Sequence, residues 1–238
     1  MTLHNNQWAL ELTHPGDHLQ ILSETPLSIP ESTPFSLSLW IKESHNPNPA
    51  SILGGELPLM GILRQKSSPE GRLCTRNMGN ILATDHVIYP NLWYHIFYSR
   101  DAQNNMRLFI NGSLGGSAYF GGQINITHLG AHPPATHTFR GELDEFLIWI
   151  GEDKTSCLDL LFKASEDFNV GVLDPTHWWR FGDGEEEAKG KIVYDMAGNR
   201  DWRIIDRSPP PPKECCFKKF WSKIKKIWSK IRKKFARA

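Results

Sequence analysis

The chain has 238 residues, 39% of which are hydrophobic, and a formal net charge of +1 at pH 7. This composition is typical of a globular protein with enough chain for one substantial domain. Its four cysteines, two of them adjacent, exclude a disulfide scaffold, and no apolar run is long enough to span a membrane. Residues 1–8 are polar and do not resemble a signal peptide, so we expect synthesis in the cytosol without classical secretion.

Short strand patterns dominate the first 150 residues. Their side chains alternate in polarity or are rich in β-branched and aromatic types, with Gly, Pro and Asn between them. Strands are predicted over residues 19–22, 35–41, 93–98, 107–110 and 142–149. The dipeptide Asn111-Gly112 predicts a tight hairpin, and residues 156–165 have the apolar spacing of a helix. Many short strands with such punctuation favour an antiparallel sandwich.

Three sequence blocks in these predicted strands are similar to a known family. They read F-S-L-S-L-W-I-K at residues 35–42, N-L-W-Y-H-I-F-Y at 91–98 with M-R-L-F-I-N-G at 106–112, and F-R-G-E-L-D-E-F-L-I-W at 139–149. Together they resemble the laminin-G-like and pentraxin-like jelly rolls of the concanavalin A superfamily. The resemblance implies an all-β, two-sheet antiparallel jelly-roll sandwich. It also implies calcium as a candidate cofactor, held at loop tips by Asp side chains and backbone carbonyls, but it assigns no metal-binding residue.

A tryptophan-rich block follows the predicted jelly roll. It reads H-W-W-R-F-G-D-G at residues 177–184 and V-Y-D-M-A-G-N at residues 193–199. The block is similar to a segment that recurs beside laminin-G-like domains in phage and environmental virion proteins, which implies a structural protein of a virion. The alternative is that Trp178 and Trp179 cover one sheet while Asp195 and residues 198–199 form a turn.

The sequence divides into four predicted parts. Residues 1–168 form the laminin-G-like jelly roll, and residues 169–207 form a Trp-rich extension packed on or beside the sandwich. Residues 208–213 form a Pro-rich linker, in which four consecutive prolines act as a stiff, extended spacer. Residues 214–238 form a cationic amphipathic α-helix.

The C-terminal segment, residues 213–238, concentrates the positive charge. It holds eleven of the 27 Lys and Arg residues and one of the 26 acidic residues, so it carries +10 while the rest of the chain carries −9. Its apolar residues recur at helical spacing, which predicts a helix with one apolar stripe on a basic background. The stripe consists of Phe217, Phe220, Trp221, Ile224, Ile227, Trp228, Ile231 and Phe235. The basic residues between them are Lys218, Lys219, Lys223, Lys225, Lys226, Lys230, Arg232, Lys233 and Lys234.

A helix of this charge needs an anionic partner. Because it is too charged to cross a bilayer, we expect it to lie in the interface of an anionic membrane, where each Lys or Arg contributes about 1 kcal/mol. The alternatives are docking on the chain's own acidic body or on a neighbouring capsid or assembly subunit and, third, binding to nucleic acid. Cys215 and Cys216 are either palmitoylated, which would add a lipid anchor, or unmodified thiols. These expectations place the protein in a virion or at a cell surface or membrane.

Glu142 and Asp144 are the residues to test for catalysis. Laminarinase-type glycoside hydrolases of the same superfamily carry E-x-D-x-E, or a bulged E-x-D-x-x-E, on one strand. Glu142 and Asp144 share one face of a strand, but Phe146 and Leu147 occupy the places of the third carboxylate. In a regular strand Glu145 points to the opposite face. The pattern therefore predicts that the protein is not an enzyme.

The histidines His128, His132 and His137 cluster in one segment. Gly130 and two prolines lie between them, which indicates a loop rather than the convergent ligands of a zinc site.

Three functional hypotheses remain. The first is a non-enzymatic binding or structural module, whose jelly roll binds a glycan or a surface protein and whose helix attaches it to a membrane or an assembly partner. The second is a membrane-permeabilising effector whose helix is restrained by the acidic domain. The third, a glycoside hydrolase, is disfavoured because the third carboxylate is missing.

Overall fold

The structure is a computed structural model that describes residues 9–44, 48–55, 58–64, 71–77, 80–133, 137–163, 169–181 and 192–205. Residues Met1–Asp206 form one compact unit, and Arg207–Ala238 form a second. The predicted linker and amphipathic helix lie outside the described residues.

One layer of the first unit is an antiparallel sheet with seven strands among the described residues. In spatial order these are β1 (Leu10–Leu12), β14 (Gly141–Ile150), β4 (Phe35–Glu43), β9 (Trp93–Arg100), β10 (Asn105–Ile110) and β11 (Ser113–Tyr119), with β15 (His177–Trp179) pairing with β14.

The other layer is an antiparallel sheet with eight strands in the described part of the chain. In spatial order these are β16 (Ile192–Val193), β17 (Trp202–Ile205), β2 (His18–Ile21), β13 (His128–Leu129), β5 (Ala50–Gly54), β6 (Pro58–Arg64), β7 (Gly71–Asn77) and β8 (Asn80–Ile88). A separate antiparallel pair is formed by β3 (Leu27–Ile29) and β12 (Ile124–Ile126).

Apolar side chains from the facing sides of the two sheets form the core. Leu37, Leu39 and Ile41 of β4 point inward together because side chains of a strand alternate between its faces. They belong to the same buried cluster as Ile52 of β5 and Ile62 of β6 in the opposite sheet. Full burial of an aliphatic side chain stabilises the fold by about 1.5–3 kcal/mol, so this cluster holds the layers together.

A helical segment covers one end of the outer face of the seven-stranded sheet, the face that points away from the other layer. A 3-10 turn (Thr155–Cys157) leads into α1 (Leu158–Lys163), and a second 3-10 turn spans Val170–Leu173. Leu158 and Leu161 pack in one buried cluster with Phe97 and Trp149 of the sheet. The helix predicted over residues 156–165 is thus present up to Lys163, where the described segment ends.

The Trp-rich extension, the part of the chain predicted over residues 169–207, contributes strands to both layers. β15 pairs with β14, whereas β17 pairs with β2 in the other sheet. The buried rings of Trp179 and Trp202 meet edge to face, with their centroids 5.6 Å apart. Aromatic packing in this extension therefore connects the two sheets.

The predicted all-β, two-sheet antiparallel sandwich is confirmed. The five predicted strands correspond to β2, β4, β9, β10 and β14. Asn111 and Gly112 form the predicted hairpin turn between β10 and β11, with positive φ angles of 49° and 78°. Positive φ at both positions matches the twist of the flanking strands. No helix within the described residues is both long and apolar enough to cross a membrane.

Candidate ligand-binding site

A β-bulge in β14 decides where the carboxylates of this strand lie. Asp144 pairs with Trp40 of β4, but the next aligned pair joins Leu147 to Ser38, so β14 has one more residue than β4 at this point. Glu145 lies in the bulge with a positive φ of 47°. Of the two spacings considered, the bulged one is present, because the extra residue puts Leu147, three positions after Asp144, on the same face.

The bulge shows that the third catalytic position is occupied by an apolar residue. The spacing from Glu142 through Asp144 to Leu147 is that of the bulged E-x-D-x-x-E pattern, with Leu147 in place of the last glutamate. Leu147 is 1% exposed and packs in the cluster beneath α1. Asp144 is fully buried and accepts a hydrogen bond from the Glu145 N–H at 2.9 Å. The Asp144 carboxylate therefore stabilises the bulge, and it has no partner carboxylate at position 147 with which to form an acid–base pair.

Four side chains form a row across the strands at the other end of the outer face. The strand register aligns Glu11 of β1 with Glu142, Glu142 with Lys42 of β4, and Lys42 with Trp93 of β9. We call Glu11, Glu142, Lys42 and Trp93 the outer-face row. Since neighbouring strands lie about 4.8 Å apart, the row spans about 14 Å.

Lys42 joins the aromatic and acidic parts of the outer-face row. Its Nζ donates to Glu142 Oε1 at 2.8 Å and lies 5.8 Å from the centroid of the Trp93 ring. The Lys42 and Glu142 side chains are 31% and 34% exposed, Trp93 is half-buried and Glu11 is exposed. A ligand can therefore contact an aromatic ring, an ammonium and a carboxylate on one continuous surface.

A second row of buried side chains supports the first. Asp144 aligns with Trp40, and Trp40 with His95. The Trp40 ring lies 5.0 Å from His95 and 6.2 Å from Phe162 of α1, measured between ring centroids. His95 Nε2 is 2.8 Å from Ser38 Oγ, but Ser38 is 1% exposed, so a substrate cannot reach this Ser–His pair. The second row thus lies beside the first, packed against α1, and its Ser38–His95 pair offers no nucleophile that a ligand can reach.

The turn before β9 adds exposed apolar groups beside the Trp93 end of the outer-face row. Leu92 is 53% exposed and Tyr89 is 47% exposed. The Tyr89 N–H donates to the Tyr94 hydroxyl at 3.0 Å, and the Asn91 N–H donates to the Glu43 carbonyl at 2.7 Å. These bonds hold the turn in place directly before Trp93.

The predicted histidine cluster lies on the other sheet and includes a fourth member. His18 stacks on His128 with ring centroids 5.2 Å apart, and His132 lies 5.8 Å from His137. Burial and the neighbouring His18 and His132 lower the pKa of His128 to about 4. Among the described residues no group of three or more His, Cys, Asp or Glu side chains is arranged to hold a metal ion. The cluster packs the loop around Gly130 against the sheet.

A buried His–Asp pair organises the Trp-rich block. His177 Nδ1 donates to Asp195 Oδ2 at 2.6 Å. Burial of the Asp195 carboxyl opposes its ionisation, but hydrogen bonds from His177 and from the N–H groups of Trp178, Gly198 and Arg200 outweigh burial and lower its pKa. The structure therefore agrees with the alternative in which the Asp195 segment forms a turn, whereas Trp178 and Trp179 belong to strand β15 of the seven-stranded sheet.

The other predicted site residues, the apolar stripe and basic residues of the C-terminal segment and Cys215 and Cys216, lie outside the described residues. Trp93 falls in a predicted strand and Lys42 directly follows one, but neither was predicted to be a site residue. They lie 51 positions apart in the chain and become neighbours through the pairing of β4 with β9. Both residues lie in the sequence blocks that resemble the family, which was a signal that they are worth testing. That the two side chains align with each other depends on the register between β4 and β9.

The fold and the open polar and aromatic face define a jelly-roll sandwich with a candidate surface site. Residues 14–152 match the family model described as the concanavalin A-like lectin/glucanases superfamily. Because this match covers more than half of the chain, the protein belongs to that superfamily, and the family resemblance seen in the sequence is confirmed. Comparison with curated proteins gives no match.

Solved structures share this fold. A candidate carbohydrate-binding protein from Bacteroides ovatus aligns with a TM-score of 0.54 and 13% identity, over 83% of this chain and 59% of that one. The heptameric SAP-like pentraxin from Limulus polyphemus aligns with a TM-score of 0.51 and 14% identity, over 83% of this chain and 93% of that one. This chain thus spans less than two thirds of the Bacteroides ovatus protein, and identities this low establish the common fold.

Proposed function

We propose that the protein is a non-enzymatic binding module whose jelly roll binds glycans at the outer-face row. The observation that carries this proposal is the alignment of a half-buried tryptophan with a half-exposed Lys42–Glu142 pair. An aromatic ring packs against the apolar face of a sugar, and charged groups exchange hydrogen bonds with its hydroxyls. The carbohydrate-binding description of the Bacteroides ovatus protein, which shares the fold, agrees with this proposal.

The absence of turnover is part of the proposal. A retaining glycosidase needs two carboxyl groups that flank the scissile bond, one as nucleophile and one as acid. Here Glu142 is paired with Lys42, Asp144 is buried, and the position of the third carboxylate holds Leu147. The site can therefore hold a sugar but has no accessible acid–nucleophile pair on this strand.

Glycan binding by the full chain tests the proposal. We expect array-selected oligosaccharides to bind the wild type and to lose about fivefold or more in affinity with Trp93→Ala, because an aromatic contact of this kind contributes about 1 kcal/mol or more. Tyr119→Ala is the matched control, since Tyr119 is a 74% exposed aromatic residue at the far edge of the same sheet. Array silence of the wild type, or equal binding by the Trp93→Ala variant, would contradict the proposal.

We also propose that residues 213–238 attach the module to an anionic membrane or an assembly partner, at a virion or cell surface. The support is the charge of +10 on this segment together with its apolar stripe. Flotation of the full chain with phosphatidylserine-containing vesicles should exceed flotation with phosphatidylcholine vesicles. It should weaken near 1 M salt, where the Debye length falls to about 3 Å. Replacement of Trp221 and Trp228 by Ser should reduce it.

The same vesicles distinguish attachment from permeabilisation. Dye release from them would favour the alternative hypothesis of a lytic effector. Binding without release supports attachment, and no flotation at low salt would contradict the membrane version of the proposal.

A further inference from the structure

We infer that the outer-face row selects uncharged oligosaccharides and rejects those that carry carboxylate or sulfate groups. This inference rests on the proposed glycan-binding function of the row and adds the chemical class of the ligand. The net charge of the outer-face row, which a bound ligand would contact, depends on the carboxylates next to Lys42.

The positive charge of Lys42 is already neutralised. Its Nζ lies 2.8 Å from Glu142 Oε1, and Glu11 is the register partner of Glu142 on the next strand. The outer-face row thus contains two carboxylates and one ammonium, with a net charge of −1. An anionic sugar that accepts a hydrogen bond from Lys42 would lie beside the Glu142 carboxylate, with Glu11 on the next strand, and would meet two like charges at short range.

A neutral sugar fits the same groups without displacing either partner. A hydroxyl both donates and accepts, whereas a carboxylate only accepts and an ammonium only donates. Adjacent hydroxyls can therefore donate to the Glu142 carboxylate and accept from the Lys42 ammonium at once. The half-buried Trp93 supplies the apolar contact for the C–H groups of the ring.

The length of the row favours an oligosaccharide over a monosaccharide. Four neighbouring strands carry its members, so Trp93 and Glu11 lie about 14 Å apart. A ligand that contacts the aromatic end and the acidic end together must lie across the strands.

Glu142 is the specificity-determining residue in this arrangement. Glu142→Gln removes one negative charge, keeps a hydrogen-bond acceptor for Lys42 and leaves the ammonium without its counter-ion. We expect it to raise affinity for a singly charged ligand about two- to fivefold, the range of half-exposed charge pairs. The double variant Glu11→Gln with Glu142→Gln should raise it further. Glu152→Gln is the matched control, because Glu152 pairs with Lys154 at 2.6 Å beyond the opposite end of β14.

The experiment uses the full chain labelled with 15N in its tryptophan indoles, and the Trp93 resonance is assigned with Trp93→Phe. Uncharged cello-, manno- and galacto-oligosaccharides are titrated in parallel with counterparts of equal length that contain one uronic acid. The basic C-terminal segment is identical in all variants, so differences between them at the Trp93 resonance report on the row.

The possible results separate the inferred charge selectivity from the proposed glycan binding. Shifts of the Trp93 resonance with neutral ligands, weak shifts with uronates, and a gain for uronates in Glu142→Gln but not in Glu152→Gln support the inference. Equal or stronger binding of uronates by the wild type would overturn the inference and leave glycan binding intact. If no ligand of either charge shifts the Trp93 resonance, the proposed function itself fails.

Discussion

The indole N–H of Trp178 donates to Glu145 Oε2 at 2.7 Å, which ties β15 to the bulge of β14. The guanidinium of Arg180 lies over the same indole, with Cζ 5.4 Å from the ring centroid. The bulge that brings Leu147 to the third position of this pattern is thus stabilised by the Trp-rich block, which lies outside the matched family segment.

The hydrogen bond between Trp178 and Glu145 should stabilise the folded protein. Trp178→Phe should lower the free energy of unfolding by about 1.5–3 kcal/mol, because it removes a hydrogen bond to a charged acceptor and leaves the carboxylate less solvated. Urea denaturation of Trp178→Phe, Glu145→Ala and the double variant gives the coupling energy. Strictly additive effects would show that the two side chains do not stabilise the bulge jointly.

The Asp195 turn should be equally sensitive. In Asp195→Asn one accepting oxygen becomes an amide that cannot receive the bonds now made to Oδ2 by His177 and the Arg200 N–H. We expect a loss of about 3 kcal/mol, from two charge-assisted bonds. Asp85→Asn, at an exposed carboxylate paired with Arg72, should cost no more than about 0.5 kcal/mol.

Acid should abolish the difference between wild type and Asp195→Asn. The pKa of Asp195 is lowered in the folded protein, so its stabilising effect is present above the pKa of the unfolded chain and lost as pH falls through the folded value. A difference in unfolding free energy that does not shrink as pH falls below the pKa of the unfolded chain would contradict this account.

Arg100 donates hydrogen bonds to three loop carbonyls at one end of the sandwich. Its guanidinium is fully buried and donates to the carbonyls of Thr33, Gly122 and Pro30 at 2.8, 2.6 and 2.7 Å. Arg100→Met should lower the unfolding free energy by about 3 kcal/mol or more, since it leaves buried acceptors unsatisfied. Arg72→Met provides the control, because Arg72 is exposed and should contribute little. Equal midpoints in urea for the two variants would refute the assigned role.

The histidine cluster predicts that folding stability also depends on pH above the range in which Asp195 titrates. The folded pKa of His128 is about 4, below its ordinary value of 6.5, because burial and neighbouring histidines disfavour the charged form. The unfolded chain therefore binds more protons between these values, so stability should be full above about pH 6.5 and decline as pH falls toward about 4. His128→Asn should flatten this decline. Urea midpoints of the wild type and the variant between pH 4 and 7 measure it, and parallel declines would contradict the assigned role of His128.

Local patterns in the sequence were sufficient for much of the fold. Alternating polarity predicted β4, β-forming residues predicted β9, and Asn111-Gly112 predicted the hairpin, because each depends on neighbours within a few residues. The family blocks added the two-sheet arrangement. The short strands β16 and β17 were not predicted, since two to four residues carry too little periodicity to separate them from a loop.

The sequence by itself determined the opposite charges of body and C-terminal segment, the strand-rich jelly roll and the missing third carboxylate. Only the tertiary structure decided which face each carboxylate occupies, because one extra residue at Glu145 reverses the alternation of side chains after it. It also decided that Glu11, Lys42, Trp93 and Glu142 share a surface. These residues come from four strands distant in the chain, and backbone pairing between strands sets their register.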